Sequence, residues 1–153
     1  MKLRVLAALA WVPAALSLST PAAAQFAKPE DAIQYRQSAL FVLGQHFTRL
    51  GAMANGRVPF DAKLAQENAD VVAAMARLPW AAFEPGTDKG APHKARPAVW
   101  AEPAKFKEHA DKLVAQSTQL AAAARTGSLD AVKTSFSATA ASCKACHDAY
   151  RDR

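Results

Sequence analysis

Thirty-eight of the 153 residues are alanine and a single one, Ile33, is isoleucine, and this imbalance limits the possible folds more than any other feature of the chain. Alanine loses no side-chain entropy in a helix and is its best former, whereas strands draw on β-branched and aromatic residues. Apart from nine valines, such residues are scarce here. A sheet-based nucleotide-binding or hydrolase fold is therefore disfavoured, and no Gly-rich phosphate loop is present. The expected fold class is all-α, in one compact domain.

The first 24 residues are set aside from that domain. Met1-Lys2-Leu3-Arg4 is a short positive start, Val5 to Leu18 is an apolar run broken only by Pro13 and Ser17, and Ala22-Ala23-Ala24 is a small-residue cleavage site. Residues 1–24 read as a cleaved secretory signal peptide, with Gln25 as the mature N-terminus and residues 25–153 as the folded domain. A membrane anchor is the rival reading, but the apolar stretch falls short of the roughly 20 residues that a spanning helix needs. In a bacterial cell the expected destination is the periplasm. Removal of Lys2 and Arg4 lowers the formal net charge from +6 to +4. The basic residues, among them Lys63, Lys94, Arg96, Lys112 and Lys144, are interspersed with acids along the sequence, so neither nucleic acid nor a membrane is an expected partner.

Apolar spacing divides the domain into four helices. The first begins near Lys28, with Pro29, Glu30 and Asp31 in a first turn that suits the helix dipole. Ile33, Leu40, Leu43, Phe47, Leu50 and Ala54 mark its inner face, and Asn55-Gly56 stops it. The second opens at Pro59-Phe60-Asp61, buries Leu64, Asn68, Val71, Val72, Met75 and Leu78, and ends at Pro79. Trp80 to Pro97, rich in Gly and Pro, reads as a long connection without an element of its own. The third runs from Trp100 or Pro103 to Ala124 with Phe106, Ala110, Leu113, Ser117, Leu120 and Ala124 on one face. Only Arg125-Thr126-Gly127 separates it from the fourth, which forces an antiparallel hairpin. The fourth carries Leu129, Val132, Phe136, Thr139, Cys143, Cys146 and Tyr150 at steps of three and four. Four such stripes satisfy one another by packing into a bundle.

The only cysteines in the chain lie in Cys143-Lys144-Ala145-Cys146-His147. This is the spacing of covalent c-type haem attachment. Two thiols about one helical turn apart can each add to a vinyl group on the edge of a porphyrin, and His147, four residues beyond Cys143, can bring its imidazole under the iron. An export signal fits, because bacterial haem c is attached outside the cytoplasm. Three other readings use the same residues. A thioredoxin-like dithiol belongs at the start of a helix that follows a strand, a disulfide is strained inside a continuing helix and leaves His147 unexplained, and a zinc site wants a fourth ligand. His46, His93 and His109 are far apart in sequence and are expected at the surface.

With these residues in view, the chain resembles cytochrome c′, the class II c-type cytochromes, from Gln25 to Arg153. The likeness is densest in Phe26-Ala27-Lys28-Pro29-Glu30-Asp31-Ala32, Tyr35-Arg36-Gln37-Ser38-Ala39-Leu40, Leu78-Pro79-Trp80-Ala81-Ala82-Phe83 and the C-terminal run from Ala141 to Arg151. The resemblance implies an antiparallel up-down-up-down four-helix bundle with one covalently attached haem c, the topology typical of the family. It implies His147 as the only protein ligand of a five-coordinate, high-spin iron. It also implies Leu40 as the bulky residue on the distal side and Arg151 as the arginine beside the axial histidine. Arg36 and Gln37 correspond to residues near the haem propionates, and Trp80, Phe83 and Phe106 to the pocket lining. Leu43 stands where family members often carry methionine.

The mature chain has two thioethers, Met53 and Met75, and Met53 is roughly 20 Å along the helix axis from Leu40 at 1.5 Å per residue, so neither is expected at the iron. An open position under a leucine favours small uncharged diatomics, nitric oxide and carbon monoxide. The leading expectation is a periplasmic protein that binds or buffers nitric oxide and can exchange electrons. The alternative is a dedicated electron carrier with a periplasmic redox partner, in which gas binding is incidental. An oxidase or peroxidase is not expected, because only Arg36 offers a polar catalytic group in the first half of the first helix. The resemblance also implies a homodimer through the first two helices, for which Phe41, Met53 and Phe60 are candidate outward apolar residues.

Overall fold

The structure is a computed structural model that describes residues 25–153. The signal peptide assigned to residues 1–24 lies outside the described residues. Four long helices form the fold: α1 (Pro29–Ala54), α2 (Ala62–Met75), α4 (Pro103–Arg125) and α5 (Leu129–Tyr150). A 3₁₀ turn (Pro79–Phe83) and a one-turn helix, α3 (Ala98–Ala101), lie between α2 and α4. In space α1 packs on α2, α2 on α4, α4 on α5, and α5 returns to α1. This closed ring of sequential neighbours is an antiparallel up-down-up-down four-helix bundle.

Local chemistry sets the helix ends. Pro29 starts α1 with Glu30 and Asp31 in the first turn, and Gly56 at φ +69° accepts the left-handed turn that ends it. The Asp61 carboxylate accepts from the Leu64 amide at 2.9 Å and caps α2. Ser128 caps α5 by accepting from the Ala131 amide. Gly127, at φ +71°, makes the tight turn of the α4–α5 hairpin.

The apolar stripe of α4 is buried as its spacing predicts, at Phe106, Ala110, Leu113, Ser117, Leu120 and Ala124. The stripe of α2 is buried only in part: Asn68 and Val72 are buried and Val71 and Met75 half-buried. Ala65, Asn68, Ala69 and Val72 are its buried residues, Leu64 is 49% exposed, and Leu78 lies beyond the end of the helix and is exposed. Two stripes with equal periodicity compete in this helix. The alanine stripe faces inward because α2 sits between α1 and α4, whose larger side chains already fill the shared space. The same crowding is visible on α1 at Gly51, where a Cβ would come within 2.8 Å of the Phe136 ring.

The connection from Trp80 to Pro97 is shorter and more ordered than expected. Pro79 does not end α2 but opens a 3₁₀ turn four residues after Met75, the last residue of the helix, and the helical turn α3 begins at Ala98. Glu102 (φ −125°, ψ 55°) breaks the chain between α3 and α4, so Trp100 and Pro103 belong to different elements. Met53 is buried in the core and Phe60 packs against it, which leaves Phe41, 66% exposed, as the outward residue of that trio. The three histidines outside the motif are half-buried and bonded or stacked rather than free on the surface. His46 Nδ1 meets Asn68 Oδ1 at 2.9 Å, His93 Nε2 donates to the Asp88 carbonyl, and His109 stands edge-on to Tyr150.

Candidate functional site

The apolar interior falls into two clusters, and the cysteine motif lies where they meet. Cys143 packs against the central core, to which Leu43 of α1 and Leu113 of α4 belong. Cys146, three residues on, packs against a second cluster of Val99, Phe106 and Tyr150, with Trp80, Phe83 and Trp100 around it. Both thiols are half-buried and unpaired. His147 follows at the exposed edge of the same turn.

Electrostatics separates the readings of this motif. Burial pushes the Cys143 thiol up, and burial together with the neighbouring Cys143 pushes Cys146 up to about 11. The thiols also lie toward the negative, C-terminal end of α5 rather than at its N-terminus. A thioredoxin-like dithiol needs the opposite, a stabilised thiolate at a helix start. A zinc centre lacks donors, since among the described residues no group of three or more His, Cys, Asp or Glu side chains converges. His147 is held toward its neutral form, mainly by partial desolvation and further by the Arg151 charge, with Asp148 offsetting part of the effect. A neutral imidazole is the form that ligates a metal.

Beside the motif is a cleft of about 580 Å³ lined by Trp80, Phe83, Val99, Trp100 and Phe106. Two of them, Val99 and Phe106, belong to the cluster against which Cys146 packs, so the thiol and the cleft share that cluster. Phe106 is the hub, with ring centres 4.9 Å from Phe83, 5.8 Å from Trp80 and 5.3 Å from Tyr150. The indole N–H groups are already engaged: Trp80 donates to the Ala76 carbonyl at 2.6 Å and Trp100 to the Glu84 carbonyl at 3.2 Å. The rings therefore offer apolar faces, which suits a flat, apolar macrocycle. The structure thus brings together Trp80, Phe83 and Phe106 with Cys146.

Arg36 and Gln37 hold the segment that closes this cleft. Arg36 is 2% exposed, and its guanidinium donates to the Ala82 carbonyl (2.8 Å), the Thr87 hydroxyl (3.0 Å) and the Thr87 carbonyl (3.0 Å). It also lies over the Phe83 ring, 4.5 Å from its centre, and 5.5 Å from that of Trp100. Burial lowers its pKa, yet arginine stays charged, and three of its five N–H donors are used here. Gln37 Nε2 donates to the Pro92 carbonyl at 3.0 Å. Thr87 and Trp100 are the residues that sequence reasoning missed. Nothing local marks Thr87, whereas Trp100, an aromatic residue outside the helical stripes of a Pro-rich stretch, was a usable signal.

Leu40 is half-buried on α1, one turn from the buried Arg36 on one side and next to the buried Leu43 on the other. Arg151 is exposed just past α5, where its amide donates to the His147 carbonyl at 3.1 Å. An open cavity of about 390 Å³ lies beside it, lined by His147, Arg151, Arg96 and Lys144 with Asp148 and Asp152. Basic residues interspersed with acids along the sequence are therefore gathered in space on this side of the motif.

The family model for cytochrome c′ matches residues 31–151. The chain belongs to the cytochrome c′ family. Cytochromes c′ carry a covalently bound haem, and haem c is the cofactor of this chain. The cytochrome c′ of Rubrivivax gelatinosus is 48% identical over 129 residues, 84% of this chain and 100% of that protein, and its crystal structure gives a TM-score of 0.82. That of Alcaligenes xylosoxydans is 46% identical over 129 residues, 84% of this chain and 99% of that protein. A nitric oxide complex of a leucine-to-alanine variant of the Alcaligenes xylosoxidans cytochrome c′ is 44% identical with a TM-score of 0.78, covering 84% of this chain and 99% of that one. The fold and the motif of this cytochrome c′ agree with the requirements of the haem: paired thiols on one helix, a histidine held toward its neutral form beside them and an aromatic cluster against the second thiol.

Proposed function

We propose that this cytochrome c′ is a periplasmic haem protein that binds nitric oxide, with carbon monoxide as a second gas ligand and one-electron exchange as a further capability. The observation that carries the reading is the position of Met53: it is buried in the central core in the last turn of α1, two residues from Gly51, which packs against Phe136 in the first half of α5, whereas the cysteine motif lies near the other end of α5. His147 is then the sole protein ligand. When bound, the haem supplies an iron that takes a diatomic gas at its open position and changes charge by one electron. The nitric oxide complexes of the Alcaligenes relative support the same reading.

Each side chain has a role in that reading. Cys143 and Cys146 hold the cofactor as thioethers, and His147 is the axial ligand. Trp80, Phe83 and Phe106 wall the pocket and keep it dry. Arg36 retains two N–H donors after anchoring Thr87, and with Gln37 it meets the propionate edge. Leu40 covers the distal face and excludes water and anions, which lose hydration there without gaining a partner. Arg151 stands beside His147 and steadies a ligand that reaches the proximal side. The protein is a binder rather than an enzyme. It is exported by residues 1–24, and among the described residues no helix is long and apolar enough to cross a membrane. It pairs as a homodimer through α1 and α2.

The electron-carrier reading is favoured by one observation, the cluster of Arg96, Lys144 and Arg151 around His147, which would suit an acidic redox partner. Titration of the reduced protein with nitric oxide and with carbon monoxide, followed in the Soret band, tests the gas-binding reading. Gas binding as the function predicts saturation at one equivalent per chain. An unchanged spectrum with either gas contradicts it.

A further inference from the structure

We propose that Arg96 is a positioning residue for His147: it caps the last turn of α5 and thereby resists the displacement of His147 when a gas ligand binds. The proposal deepens the gas-binding reading and rests on it. A helix leaves its last four carbonyls without partners inside the helix, and a Gly in the left-handed region usually turns the chain back to satisfy them. Helix α5 has no such glycine. Its cap residue Arg151 is extended, at φ −126° and ψ 132°.

One residue from a distant segment supplies most of what is missing. The Arg96 Nη1 donates to the Asp148 carbonyl at 3.0 Å and to the Ala149 carbonyl at 3.3 Å, and the Arg96 backbone amide donates to the Tyr150 carbonyl at 2.9 Å. The fourth carbonyl, that of His147, accepts from the Arg151 amide. The guanidinium is itself fixed, because Nε donates to Asp152 Oδ1 at 3.1 Å, and the Asp152 amide donates to the Lys94 carbonyl at 2.8 Å. Ala95 and Arg151 pair as an isolated antiparallel bridge in the middle of this clasp. A cation at the negative end of the helix adds to the hold.

The consequence follows from where the turn lies. His147 immediately precedes the residues whose carbonyls Arg96 holds, so the clasp fixes the backbone from which the imidazole projects and limits how far it can withdraw. The clasp joins that backbone to the segment that ends in Val99 and Trp100, both cleft residues. Without the Arg96 guanidinium, the Asp148 and Ala149 carbonyls turn to water and the end of α5 frays.

The test compares the haem-loaded parent with Arg96→Ala and Arg96→Lys. Lysine keeps the charge at the helix end but lacks the guanidinium that holds Asp152 through Nε while Nη1 reaches the two carbonyls, and it guards against a poorly folded alanine variant. Amide hydrogen exchange over residues 148–152 should quicken by about tenfold in Arg96→Ala, the factor that one lost charge-assisted hydrogen bond accounts for. Loss of His147 ligation after nitric oxide addition, read in the Soret band, should quicken by a similar factor, with Arg96→Lys in between. Faster exchange with ligation lost at the parent's rate in both variants would overturn the positioning role alone. A parent that takes up no nitric oxide would overturn the gas-binding reading, and the proposal with it.

Discussion

At the scale of the residue, Leu40 carries the most specific expectation. Its half-buried place beside Arg36 and Leu43 on α1 suits a side chain that has to swing aside before a ligand can occupy the distal face. Leu40→Ala should therefore speed carbon monoxide binding by at least about tenfold, since the strain of moving a branched side chain in a packed site is on the order of 1–3 kcal/mol. Stopped-flow traces that overlay those of the parent would show that Leu40 is no lid. The cysteine motif was fully legible in the sequence, because covalent attachment fixes residue types and spacing within five positions. Leu40 became legible only through the family resemblance, since nothing distinguishes its apolar side chain from those of Leu43 and Leu50. The partners of Arg36 were not legible at all. Ala82 and Thr87 are 46 and 51 residues away, and only the packed bundle brings them to it.

At the scale of the element, the segment between α2 and α4 is the part of the fold that depends most on a single side chain. Arg36 supplies three buried hydrogen bonds to the 3₁₀ turn and the residues after it, and its charge stacks on Phe83. Arg36→Leu removes the guanidinium donor from the Thr87 carbonyl and leaves the Ala82 carbonyl with only the Thr87 hydroxyl at 3.3 Å. It should destabilise the protein by about 2–3 kcal/mol, the range for charge-assisted hydrogen bonds in a buried site, read from the denaturant midpoint at unchanged slope. A midpoint within error of the parent's would mean that the segment is held by its aromatic packing alone. The four long helices were readable from apolar periodicity and end chemistry, including Asp61, Ser128 and Gly127. The inward face of α2 was not, because Ala65, Ala69 and Leu64, Val71 trace stripes of the same period and only the bulk of neighbouring helices selects one. The 3₁₀ turn escaped for a related reason. Five residues opened by a proline carry too little periodicity to stand out from a loop.

At the scale of the whole molecule, the bundle separates two tasks. One cluster, centred on Leu50, Val72 and Leu120, closes the four helices on one another, and the second, centred on Phe106, forms the wall of a cleft. The outer face of α1 and α2 presents Tyr35, Phe41, Val42 and Leu64 to solvent, more apolar surface than a lone bundle needs. Sedimentation equilibrium should accordingly return the mass of two chains, and a monomer at high concentration would remove the homodimer. The central claim is that the iron keeps an open position with His147 as its only protein ligand. The most direct measurement is the absorption and electron paramagnetic resonance spectrum of the purified haem protein, oxidised and reduced, with no ligand added. The account predicts a five-coordinate, high-spin iron in both states, and a six-coordinate, low-spin spectrum in either would contradict it.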